Sequence, residues 1–244
     1  MTEAEEAIVK QVRAALECEP RVNLHRYPVR VDFEAGAVVL DGEVGSIAAR
    51  KRALRLAAAI DGVRGVVDRL HVAPVQRRSD GEIRDALSTL LLGEPELRDC
   101  AMRILAKGGA VTLRDVPARR AGAIDLAIAD GVVTFEGTVI SLSHKRLVGV
   151  LAWWTPGCRD VVNSLEVVPP EEDNDGEVID ALGLVYEIDP VVRHDQITVH
   201  CHGGVVTLSG AVATEEERRR AELDAWALFA VDDVVNAIEV RTAP

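Results

Sequence analysis

GVVTLSGAV (residues 204–212) is an alternating apolar run with a glycine set near its end, and the chain repeats it as GAVVLDGEV (residues 36–44) and GVVTFEGTV (residues 131–139). From Gly36, Gly131 and Gly204 the three copies align without a gap to Val72, Val167 and Val240. A glycine recurs at Gly42, Gly137 and Gly210, a valine at Val44, Val139 and Val212, and a small hydroxyl residue at Ser46, Ser141 and Thr214. Val67, Val162 and Val235, then Leu70, Leu165 and Ile238, close each copy. An internal repeat of this kind decides the architecture before any single element does.

Each recurrent position has a physical reading. Ala35-Gly36, Asp130-Gly131 and Gly203-Gly204 suit the positive φ of a tight hairpin turn between two alternating runs. Before the turn, Val29, Val31 and Phe33 match Ile124, Leu126 and Ile128 and also Ile197, Val199 and Cys201, which predicts one core-facing side for the first strand. Gly42 and its counterparts continue the inward parity of the second strand, so a side chain is missing where a helix is expected to lie close against the sheet. Ser46, Ser141 and Thr214 are N-cap residues for that helix, Thr214 with Glu217 forms a capping box, and Ala57, Ala152 and Ala225 recur within it. The alternating stretch from Val66 to Val72 supplies a third strand.

Another helix precedes each hairpin. DGEIRDAL (residues 80–87) and DGEVIDAL (residues 175–182) nearly coincide, and Thr2 with Glu5 makes a capping box ahead of Ile8, Val12 and Leu16 on one helical face. Glu19-Pro20, Glu94-Pro95 and Asp189-Pro190 end these helices. The expectation is an α+β protein of three tandem small α-β-β-α-β units, each a three-stranded mixed sheet with two helices on one face. The units are expected at 1–74, at 80–168 with an insertion near 98–123, and at 175–241. The stretches 74–79 and 169–174, the latter PPEEDN, read as linkers.

The order of elements, with GxVxLxGxV, a helix and GVxxVxNxLxV, resembles the BON domain. The matching stretches are GAVVLDGEV with GVRGVVDRLHV, GVVTFEGTV with DVVNSLEV, and GVVTLSGAV with DVVNAIEV. The resemblance implies a bacterial, non-catalytic binding or scaffold protein. Such modules are linked to phospholipid surfaces in envelope proteins and in one case to potassium. It therefore implies contact with a phospholipid or membrane surface, a protein partner or a small ligand, with a potassium or metal ion sensor as the alternative.

Composition narrows the partners. With 40 acidic against 28 basic side chains, the net charge of -12 argues against nucleic acid as a partner and against gripping an anionic membrane with the whole surface. The start MTEAEEAIVK lacks a basic n-region and an apolar h-region, and no stretch is apolar for long enough to span a bilayer. The expectation is a cytoplasmic protein, not an integral membrane one. The four cysteines occur without a CxxC and read as reduced. The open sheet faces leave packing within one chain and packing between copies, a homo-oligomer, as alternatives.

No nucleophile elbow, phosphate loop or HExxH occurs, so the reading is of a protein that is not an enzyme and carries no cofactor. His194, His200 and His202 form the one ligand-rich cluster, with His200 and His202 on the open face and Cys201 on the core side. They offer three imidazoles to a transition metal; equally, with no matching fourth ligand, they read as solvated residues beside a turn. Trp153 and Trp226 occupy equivalent positions on the second helix, as anchors of packing between units or as partner contacts.

The second copy breaks the pattern with about twenty extra residues between Leu97 and Ile124, judged from the gap in the repeat alignment. Residues 95–106 read as a helix, Gly108-Gly109 as its stop and residues 110–113 as a short strand. The segment carries Arg98, Arg103, Lys107, Arg114, Arg119 and Arg120 against only Asp99 and Asp115, a positive island suited to an anionic partner. The competing reading is that it fills a groove between units and pairs with Glu171, Glu172, Asp173 and Asp175 of the acidic linker.

Overall fold

The structure is a computed structural model that describes residues 2–106, 108–116 and 122–241. Two compact units make up the chain, residues 1–74 and residues 75–244. The first holds one copy of the repeat and the second holds two.

In the first unit, helix α1 (Glu3–Cys18) is followed by strands β1 (Val29–Glu34) and β2 (Ala37–Val44), helix α2 (Ile47–Ala58) and strand β3 (Gly65–Val72). β1 and β2 are antiparallel, with Glu34 opposite Ala37, and β2 and β3 are parallel, with Ala37 opposite Gly65. The turn residues Ala35 and Gly36 have φ of 51° and 89°, the left-handed pair that a two-residue hairpin requires. Val9, Val12 and Leu16 of α1 and Ala49, Ala53 and Ala57 of α2 meet Val31, Val38, Leu40 and Leu70 of the sheet in one core. Thr2 and Ser46 cap the two helices through the side-chain oxygens anticipated above. Alanines let α2 lie close on the sheet, so its burial rests on backbone proximity rather than on bulky side chains.

The second unit repeats this order twice. Its first half runs α3 (Asp80–Gly93), β4 (Ala101–Ala106), β5 (Gly109–Arg114), β6 (Gly122–Ala129), β7 (Val132–Val139), α4 (Leu142–Trp154) and β8 (Asp160–Val167). Its second half is α5 (Asp175–Ile188), β9 (Ile197–His202), β10 (Val205–Val212), α6 (Glu215–Ala227) and β11 (Asp233–Val240). The last sheet has the order β11-β10-β9, whereas the middle one has five strands in the order β5-β4-β6-β7-β8. The α+β tandem architecture is as expected, with one sheet enlarged. α3 packs on α4, α4 on α5 and on α6, and α5 on α6, so the helices of the two copies form a shared layer.

The enlargement corrects the expected helix over residues 95–106. Only Pro95–Leu97 make a single 3-10 turn, after which Ala101–Ala106 is a strand, parallel to β6 and antiparallel to β5. AMRILA is a short apolar run whose pattern does not separate helix from strand. The free edge of β6 decides it, because pairing there satisfies the backbone of both strands.

The recurrent glycines are close-approach positions, but the neighbour is the backbone at the start of the paired strand and not the second helix. A Cβ on Gly42 would lie 2.6 Å from the carbonyl oxygen of Pro28, and one on Gly137 or Gly210 would lie 2.1 Å from that of Ala123 or Gln196. Their φ values of 141°, 116° and 130° are likewise open to glycine alone. Ala57, Ala152 and Ala225 are each fully buried in their helices.

Candidate functional site

The insertion is built from its two strands outward. Arg103 on β4 sits beside Asp125 on β6 and makes a two-pronged ion pair with it, 2.7 Å from Nε to Oδ1. Arg114, at the end of β5, donates to the carbonyl of Leu92 in the last turn of α3 at 2.6 Å and to that of Leu97 in the 3-10 turn at 2.7 Å. Arg98 follows the 3-10 turn with its side chain 78% exposed, and its ion pair is with the adjacent Asp99 at 3.8 Å. Lys107, Arg119 and Arg120 lie outside the described residues. The positive island thus divides: Arg103 and Arg114 hold the added strands to the unit, and Arg98 faces solvent.

Nor does the acidic linker neutralise the described cations of the insertion. Glu171 accepts from the amide of Leu142 at 2.7 Å, at the start of α4. Asp173 pairs with Arg146, and Asp175 accepts from the amides of Gly203 and Gly204 at 2.9 and 3.3 Å. Those amide bonds, and a third from the Cys201 thiol, hold the Asp175 carboxyl below its usual range. Asp80 clamps the Asp130-Gly131 turn in the same way, at 3.0 and 2.9 Å. The near-identical DGEIRDAL and DGEVIDAL therefore record a tertiary contact, each aspartate tying the first turn of its helix to a hairpin.

The second device missed in the sequence is the acid before each recurrent proline. Glu19, Glu94 and Asp189 are buried, and each accepts from the amide two residues on. Glu19 also binds Arg52 of α2 at 3.1 Å and Asp189 binds Arg220 of α6. The recurrence of an acid-proline pair at the end of each of these helices was the available signal.

Where the two copies of the second unit meet, charges are buried. The Arg146 side chain of α4 has no exposed surface; it pairs with Asp173, donates to the carbonyl of Glu177 at 3.3 Å and lies 4.6 Å from the ring centre of Phe229. Asp224 of α6 accepts from Trp154 Nε1 at 2.8 Å and lies 3.4 Å from Arg220, which also covers the Trp154 ring. Burial pushes the Asp224 carboxyl up to about 8, against the attraction of Arg220. Trp154 links the copies through its bond to Asp224. Trp226 is almost fully buried and donates to Glu222 of its own helix at 3.4 Å, and Trp153 is half-buried.

His200 and His202 share the exposed face of β9, and His202 comes within 3.9 Å of Asp175. His194 begins the 3-10 turn before the strand. Among the described residues no group of three or more His, Cys, Asp or Glu side chains is placed to hold a metal ion, so these histidines are not gathered into one ligand set. Cys201 is half-buried, and burial raises its thiol to about 11, which leaves it protonated near neutral pH. Among the described residues no helix is long and apolar enough to cross a membrane.

Comparison with protein families matches the BON domain over residues 4–74, 110–169 and 174–242. A search of curated proteins gives no match. Among solved structures, the chain is similar to the C-terminal domain of CdsD, the structural protein of the type III secretion system of Chlamydia trachomatis, with 14% identity, coverage of 96% of this chain and 97% of that one, and a TM-score of 0.23. A second structure of CdsD from the same organism gives 15% identity over 97% and 93% of the chains, with a TM-score of 0.24.

Proposed function

Because the chain belongs to the BON domain family, whose module recurs along it in three segments, we propose that it is a non-catalytic binding protein that docks on an anionic phospholipid surface through the insertion of its second copy. The observation that carries this reading is Arg98, a 78% exposed cation at the root of an inserted segment, residues 98–120, that holds six basic against two acidic side chains. Lys107, Arg119 and Arg120 belong to the same segment and are assigned to the same contact. Arg103 and Arg114 are not, since their hydrogen bonds are already made within the unit.

The charges decide between attraction and repulsion by distance. The net charge of -12 acts through screened solvent, with a Debye length of roughly 8 Å at physiological salt. A few cations brought to the surface each add about 1 kcal/mol, enough to outweigh that weak repulsion. A cytoplasmic location is part of the proposal, to be checked by cell fractionation.

The test is sedimentation with anionic and neutral liposomes at low and high salt. Serine at Arg98, Lys107, Arg119 and Arg120 together should remove salt-sensitive binding to anionic liposomes and leave the melting temperature unchanged. Binding that persists in a folded quadruple variant overturns the reading. Binding to a protein captured from lysate, with none to liposomes, would replace the lipid by a protein partner.

A further inference from the structure

We infer that the groove between α1 and the free edge of β1 in the first unit is a strand-addition site, which takes an extended peptide segment with alternating apolar side chains and a basic residue that reaches the end of α1. The inference does not depend on the anionic contact at Arg98.

The groove, of about 510 Å³, is lined on one side by Glu6, Lys10, Arg13, Ala14 and Glu17 of α1 and on the other by Val31 and Asp32 of β1. β1 is an edge strand, bonded only to β2 within its sheet. Such an edge presents unpaired backbone donors and acceptors to any extended chain of suitable shape. Its one described guard is weak: Arg13 Nη2 reaches the Val31 carbonyl at 3.5 Å, the outer limit of a hydrogen bond.

The chain itself shows what such a groove accepts. In the second copy the counterpart of β1 is β6, and its edge is occupied: β4 pairs with it in parallel, Ile104 beside Leu126, the residue equivalent to Val31. β5 then lies against α3, the counterpart of α1, and Arg114 donates to the carbonyls of Leu92 and Leu97. By the register of the acid-proline pairs, Leu92 corresponds to Glu17 and Leu97 to Val22. The first copy has no such insertion, and no described strand pairs with the outer side of β1.

Charge complementarity selects the basic residue. α1 has no basic residue in its last turn, and Glu17 lines the groove there. A guanidinium in the position of Arg114 would meet both the negative end of the helix and a carboxylate, an attraction that α3, with leucine at this position, lacks.

The probe is a fluorescein-labelled peptide of residues 101–115, AMRILAKGGAVTLRD, titrated against the full chain and followed by anisotropy, with hydrogen exchange to locate it. Expected are saturable binding with Kd below about 1 mM and slowed exchange in Val29–Glu34. Ala14→Trp, which fills the groove from an exposed helical position, should abolish binding without lowering the melting temperature. Glu17→Lys, also at an exposed position, should weaken it several-fold at low salt. Absence of saturable binding, equal binding in Ala14→Trp, or protection confined to strands other than β1 would each overturn the inference.

Discussion

At the scale of single residues, two positions carry energetics that their neighbours do not. Gly210 cannot accept a methyl group without displacing the backbone of Gln196, 2.1 Å from the Cβ site, and its φ of 130° adds strain for any other residue. Gly210→Ala should therefore lower stability by about 1–3 kcal/mol. Gly183, inside α5 with nothing within 4 Å of its Cβ site, is the internal control: Gly183→Ala should stabilise by about 0.5–1 kcal/mol. Chemical denaturation of the two variants separates close approach from mere glycine content. Asp224 makes the second case. Its carboxyl is raised from 3.8 to about 8 by burial, so between those values the folded chain holds a proton that the unfolded chain has released. Stability contributed by the protonated form is complete at the acid end and is lost as pH rises through about 8. The groups facing it are Arg220 of its own helix, Asp189 beyond α5 and Trp154 of α4. Asp224→Asn keeps an acceptor for Trp154 and should flatten the fall in stability between about pH 4 and 8, measured by urea unfolding at fixed ionic strength.

Secondary elements add contacts that no single residue announces. The strands β4 and β5 are held by Arg103 and Arg114, so Arg114→Ala should cost about 1–2 kcal/mol through the two hydrogen bonds lost to the carbonyls of Leu92, in the last turn of α3, and Leu97, in the 3-10 turn after it. The same variant should leave liposome binding unchanged, which separates the structural cations of the insertion from Arg98. The clamps of Asp80 and Asp175 join a helix to a hairpin in each half of the second unit. The Asp175 carboxyl is depressed by the amides it accepts from, so its contribution is present above 3.8 and disappears as pH falls through its lower folded value. Asp175→Ala should lower the melting temperature at pH 7, with the difference from the parent chain shrinking as the solution is acidified below about 4, near the ordinary carboxylate range.

For the whole molecule, the contrast between the two units governs cooperativity. The first has a core drawn entirely from residues 8–72, so a fragment of residues 1–74 should fold and unfold with its own transition. The two copies of the second are tied by Arg146, which reaches the Glu177 carbonyl and the Phe229 ring, and by Trp154 with Asp224, all crossing from one copy to the other. A fragment of residues 75–244 should melt as one transition in calorimetry, and a cut between its copies should leave neither half with a cooperative unfolding curve, because the buried Arg146 would lose the Glu177 carbonyl and the Phe229 ring and the helices their shared layer.

The sequence by itself determined what repeats and what is local. Hairpin turns follow from glycine's access to positive φ, helix starts from Ser46, Ser141 and Thr214 capping their own backbones, and strand faces from period-two alternation; each of these needs only neighbouring residues. The inward parity of Gly42 was also legible, but not the carbonyl at the start of the paired strand that lies against it. Only the tertiary structure decided the rest. AMRILA became a strand because a sheet edge was free beside it. Three basic residues of similar character acquired different tasks because Asp125, the end of α3 and solvent stood where they reached. Local propensity is set by a residue and its near neighbours, whereas edge pairing, charge partners and burial depend on chain segments tens of residues away, and no pattern within a single element records them.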